Sequence, residues 1–191
     1  MKTKAKIIGL FLEEKKPKTI REIATALHID YRITYLATQR LINEKVLLVQ
    51  TIGKSSLCSF NESYYGVELY QAENERKEWI LKNKDLRQLY REILSKINTS
   101  FFTLLLFGSY AKGTFTKNSD IDLMFISTEK DFEERVSAIV SLIPLKTHIL
   151  VFKEEEYIRM KDSKKSNVIQ EAIENHIILY GIEAYYRMKN A

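Results

Sequence analysis

The 191-residue chain predicts an α+β protein in three parts, and three observations predict it. Before residue 45, apolar residues recur at helical spacing in three short stretches, and two short β-prone runs around a Gly-containing turn follow. Residues 61–98 keep helical composition almost throughout. From residue 101, apolar runs of strand length alternate with helical patterns, the arrangement of a mixed sheet with flanking helices. The expected divisions are 1–62, a helical connector at 63–98, and 99–191.

In the first part, Ile7, Ile8, Phe11 and Leu12 set the apolar side of a helix over 3–14, and Pro17 ends it. Thr19 with Glu22 three residues on is a capping box for a second helix carrying Ile23, Ala24 and Leu27. Asp30 caps a third helix over 31–44, with Ile33, Leu36, Leu41 and Ile42 as its apolar side. Strands at 46–49 and 57–60 flank a turn at 53–56. Three helices and a hairpin resemble the winged helix-turn-helix domain. The resemblance implies that helix 31–44 is a recognition helix and the hairpin turn a wing, placing Arg32, Thr34, Tyr35, Gln39, Arg40 and Lys54 toward double-stranded DNA. Residues 1–60 hold eleven Lys/Arg and five Asp/Glu, a net of +6, whereas 61–191 hold nineteen and twenty, a net of −1. A basic first part suits a nucleic acid.

In the connector, Leu69, Ala72, Trp79 and Ile80, then Leu86, Leu89, Tyr90, Ile93 and Leu94, form apolar stripes, with a break at 83–85 and Trp79 expected in the core. The third part opens with the unbroken apolar run 101–107, the form of a central strand. Further strands are expected at 120–127 and 147–152. Helices are expected at 131–143, 154–160, 167–180 and 182–188. There is no apolar run of about 18 residues, so no membrane span is expected. The N-terminal apolar run lacks the features of a secretory signal. The single cysteine, Cys58, excludes an intrachain disulfide or zinc cluster within this sequence. A cytoplasmic setting fits these features. Cys58, His28 and His176 are expected to be structural.

The chemistry concentrates at 107–123, where Gly108-Ser109 leaves the first strand and Asp120 and Asp122 head the second. Two-residue periodicity puts both carboxylates on one face of a strand. Carboxylates so placed repel each other unless a cation lies between them, and oxygen ligands suit Mg²⁺. Gly-Ser, ten residues, then Asp-x-Asp resembles the nucleotidyltransferase superfamily that includes DNA polymerase β, and within it the minimal nucleotidyltransferases.

That resemblance implies transfer of a nucleoside monophosphate, AMP above all, from an NTP such as ATP to a hydroxyl. It implies Mg²⁺ or Mn²⁺ at Asp120 and Asp122, and phosphates held near Gly108, Ser109 and Lys112, with Ser119 orienting the first aspartate. Such domains also have helical toxin-like partners and act as antitoxins. A winged helix joined to one resembles proteins found mainly in archaea, as does the ending at 179–186, and reading a DNA palindrome would require a homodimer. The family's third carboxylate is missing from the strand at 147–152, where His148 stands nearest its place. His148 is either a base toward the acceptor or a hydrogen-bonded structural residue, the second being preferred. One of Glu154, Glu155 and Glu156 reaching back is a further route to a third acid. The alternative function is a DNA-binding transcriptional regulator or antitoxin-like protein whose degenerate domain binds nucleotide without turnover.

Overall fold

The computed structural model describes residues 3–53, 55–161 and 168–190, and the chain divides into two compact units, Met1–Arg76 and Lys77–Ala191. Among the described residues no helix is long and apolar enough to cross a membrane.

The first unit holds α1 (Thr3–Glu14), β1 (Lys18–Thr19), α2 (Ile20–Leu27), α3 (Tyr31–Asn43), β2 (Leu47–Ile52), β3 (Ser55–Phe60) and most of α4 (Val67–Ile80). The α2 capping box forms: the Thr19 hydroxyl accepts from the Glu22 amide at 3.2 Å, and the Glu22 carboxylate accepts from the Thr19 amide at 2.7 Å. Left-handed His28, exposed, closes α2. Asp30 then caps α3 through the Arg32 and Ile33 amides. The three helices pack on one another beside an antiparallel sheet ordered β1-β3-β2. Thr51, Ile52, Ser55 and Ser56 extend the β2–β3 ladder beyond its expected ends, so β2 runs to Ile52 and β3 starts at Ser55. Gly53 supplies the positive φ the turn between them needs. Cys58 is buried on β3, and burial pushes its thiol pKa up.

Two expectations fail in packing. On α3 the inward positions are Thr34, Thr38 and Leu41, whereas Ile33 and Leu36 face solvent. The buried stripe is thus carried mainly by threonines, and an apolar-only reading sets the helix at the wrong angle. Trp79 is 62% exposed, because the inward stripe of α4 runs through Leu69, Ala72 and Ile80 and Trp79 falls to one side of it.

The second unit begins within α4 and continues through α5 (Lys84–Lys96), capped by Asn83. There follow β4 (Thr103–Phe107), α6 (Gly108–Lys112), β5 (Ile121–Ile126), α7 (Phe132–Ser141), β6 (Thr147–Phe152), α8 (Glu154–Lys161), α9 (Val168–Glu174), β7 (Ile177–Tyr180) and α10 (Ile182–Asn190). The sheet is mixed, ordered β6-β5-β4-β7; β5 and β6 run parallel across the α7 crossover, and β4 is antiparallel to both its neighbours. Its core joins the wholly buried β4 to Leu86, Leu89 and Ile93 of α5 and to Phe132, Val136 and Val140 of α7.

The single helix expected at 167–180 is corrected to a short helix and a strand. The His176 ring closes α9 by donating from Nδ1 to the Ala172 carbonyl at 2.8 Å, and 177–180 pairs with the second edge of β4. Gly181, at φ +79, then passes so close to β4 that a Cβ there would lie 2.7 Å from the Phe102 carbonyl.

Candidate active site

The site grows from one backbone requirement. At the junction of β4 and α6, Gly108 has φ +67, and a Cβ built on it would sit 2.1 Å from Asp122 Oδ2. The Asp122 carboxylate therefore fills the space that any other residue at 108 would need for its side chain. Strand register explains the meeting: Phe107 on β4, Asp122 on β5 and His148 on β6 lie side by side across the sheet. His148 Nδ1 is 3.2 Å from Asp122 Oδ1, so the carboxylate is bounded by glycine on one side and imidazole on the other. Asp120 is exposed, Ile121 buried and Asp122 half-buried, which continues the strand alternation one residue before β5.

The remaining residues of this motif are placed less uniformly. Ser109 Oγ is buried and has no hydrogen-bond partner among the described residues, an unmet capacity in the turn itself. Lys112 Nζ reaches across to α9 and pairs with Glu171 Oε1 at 2.6 Å. Nothing in the sequence spacing announces Glu171 as its partner. Ser119 does not bond Asp120: its Oγ accepts from the Thr116 amide at 2.9 Å and shapes the loop ahead of β5.

Glu154, Glu155 and Glu156 follow the far end of β6. Four residues of β6 follow His148, roughly 13 Å at ~3.3 Å per residue, and Glu154 lines a cavity with Ser127 and Thr128 past the end of β5 opposite Asp122, so none of the three reaches back. Glu156 instead accepts from the Lys153 amide at the start of α8. Among the described residues no three His, Cys, Asp or Glu side chains gather as a metal-binding group. Two carboxylates, a glycine notch and an orphan hydroxyl nevertheless fit a divalent cation that brings its own oxygen ligands on a phosphate and on water.

In the first unit Arg32, Tyr35 and Arg40 are exposed on α3 and Gln39 is half-buried. Thr34 leaves the candidate DNA face, because it is 0% exposed and its hydroxyl donates to the Asp30 carbonyl at 3.0 Å. Lys54 lies outside the described residues. Apolar residues are exposed nearby as well: Ile33 and Leu36 on α3, and on β2 Val49 on one side of the strand with Leu48 and Ile52 on the other.

Residues 86–179, all within the second unit, match the family model described as a nucleotidyltransferase domain. A protein of Methanocaldococcus jannaschii described as a "putative protein adenylyltransferase" is 34% identical over 83 residues, 43% of this chain and 57% of that one. The chain thus spans little more than half the length of this curated relative. The crystal structure of a "putative nucleotidyltransferase" from Sulfolobus solfataricus aligns with TM-score 0.35 and 21% identity, covering 58% of this chain and 88% of that one.

Proposed function

We propose that the second unit transfers a nucleoside monophosphate, in the first instance AMP from ATP, to a hydroxyl acceptor. The observation that carries this reading is the Asp122 carboxylate seated in the notch of Gly108 beside the unpartnered Ser109 hydroxyl. The glycine lets the Asp122 carboxylate lie against the β4–α6 turn, and Ser109 in that turn offers a phosphate a donor. Asp120 and Asp122 would hold Mg²⁺ or Mn²⁺, which when bound offsets negative charge on the phosphate oxygens. The acceptor oxygen forms a bond to the α-phosphorus, the bond from that phosphorus to the bridging oxygen breaks, and pyrophosphate leaves with that bonding pair. The acceptor proton passes to solvent or to a base that the acceptor brings. His148 acts on Asp122 as a positioning residue, fixing which carboxylate oxygen faces outward. Lys112 is available to a phosphate once it exchanges Glu171 for it.

The AMP assignment also draws on the description of the M. jannaschii relative. Incubation with Mg²⁺ and ATP labelled at either the α- or the γ-phosphate tests the reaction. Retention of α-label alone on an acceptor, lost at least ~100-fold in Asp120→Asn and Asp122→Asn, is the expected result. Retention of γ-label, or absence of any Mg²⁺-dependent ATP binding, would overturn the reading. We also propose that the first unit is a winged helix that lays α3 against double-stranded DNA, a reading supported by its three helices, its hairpin and the exposed Arg32 and Arg40.

A further inference from the structure

We propose that Phe115, stacked on Tyr110, is the platform on which the base of the bound nucleotide lies. The inference rests on the nucleotidyltransferase reading above and supplies the base-binding end of the same site. Tyr110 directly follows Ser109 in α6 and is only 8% exposed. The Phe115 ring lies over it with centroids 4.3 Å apart and planes 6° from parallel. Phe115 itself is 39% exposed, so the stacked pair is fixed to the core through Tyr110 and open to solvent through Phe115.

The loop bearing Phe115 is tied at both ends to the phosphate and carboxylate residues. On one side the Thr114 amide donates to the Ser109 carbonyl at 3.0 Å, and Gly113, at φ +70, closes α6. On the other, the Thr116 amide donates to Ser119 Oγ and the Ser119 amide to the Thr116 carbonyl, immediately before Asp120. Phe115 is therefore held between Ser109 and Asp120, within the motif that would hold the triphosphate. A buried ring beneath an exposed one presents a rigid π-face with little conformational entropy left to lose, the condition under which a planar base stacks well. Every base has such a face, so this platform favours purines over pyrimidines by area and distinguishes adenine from guanine weakly.

Calorimetric titration with ATP and with inorganic tripolyphosphate, both with Mg²⁺, tests the platform. Wild type should bind both ligands, ATP more tightly. Phe115→Ala should weaken ATP by about tenfold and leave tripolyphosphate unchanged, while Phe115→Tyr keeps ATP within about twofold. In Phe115→Trp the new indole should be quenched by ATP and not by tripolyphosphate; this variant decides the matter if Phe115→Ala does not fold. Equal ATP affinity in wild type and Phe115→Ala, or equal loss of both ligands, or no difference in quenching, would overturn the platform while leaving the nucleotide site standing. Failure of both ligands to bind wild type would overturn the site and the platform together.

Discussion

Gly108 and Gly113 stand at the two ends of α6 with almost the same φ, +67 and +70, and differ in what surrounds them. An added Cβ meets nothing within 4 Å at Gly113 but falls 2.1 Å from the Asp122 carboxylate at Gly108. Alanine at 113 should therefore cost only the left-handed strain, ~1–2 kcal/mol. Alanine at 108 adds a collision that only movement of Asp122 or of the β4–α6 junction can relieve, and it should cost more than the Gly113 variant and abolish Mg²⁺-dependent ATP binding. Urea unfolding of both variants beside wild type measures the first effect and calorimetry the second. Equal stabilities, or undiminished ATP binding by Gly108→Ala, would separate the glycine from the site. The requirement for a small residue at 108 was legible in the sequence, as were the two aspartates. The Lys112–Glu171 pair was not, because it joins residues 59 apart whose meeting depends on how α9 packs. His148 was legible by position, and its bond to Asp122 follows only from the parallel register of β5 and β6.

Among elements, those with a local chemical signal were the readable ones. Capping by Thr19 and Asp30 fixes where α2 and α3 begin, and both caps form; Asn83, expected only as part of a break, also caps α5. β7 was unreadable because Ile-Ile-Leu-Tyr suits a helix or a strand, and only the open edge of β4 decides between them. The start of α4 holds a second local device. The Tyr64 hydroxyl donates to the Glu68 carboxylate one turn on. Burial, reinforced by that bond to Glu68, pushes the Tyr64 pKa up to about 12, and the hydrogen bond from Tyr64 holds the Glu68 carboxyl below its usual range. A raised phenol contributes stability that is complete below the unfolded value near 10 and is lost as pH rises through about 12. A lowered carboxyl contributes stability present above its unfolded value of 4.5 and lost as pH falls through the folded one. Tyr64→Phe should therefore cost on the order of 1 kcal/mol at neutral pH. The difference in Tm from wild type should hold steady from pH 6 to about 9 and narrow above about 10 and again in acid. A difference in Tm that stayed flat across the alkaline range would show that the phenol does not titrate with folding.

Across the whole molecule, charge and exposed apolar surface both concentrate in the N-terminal third, and they make different demands on a partner. Residues 1–60 carry a net of +6 against −1 for the rest. On α3 the exposed residues Arg32, Leu36 and Arg40 follow one another at intervals of four, so the two arginines stand about 12 Å apart with an apolar side chain midway between them. A recognition helix uses both kinds of residue: arginines reach phosphates or guanine edges, and an apolar side chain meets a thymine methyl. If α3 binds DNA in this way, the logarithm of affinity should fall linearly with that of salt concentration, by roughly 0.9 for each phosphate neutralised. Arg32→Ala and Arg40→Ala should each reduce that slope by about 1 if they contact phosphate. Leu36→Ala should leave the slope intact and narrow the affinity difference between the best sequence and a scrambled duplex. Fluorescence anisotropy at several salt concentrations reads all three effects. A slope unmoved by either arginine variant, together with a Leu36→Ala variant that still binds every duplex as wild type does, would mean that the exposed Ile33 and Leu36 serve a protein surface and that duplex DNA is not the partner of this face.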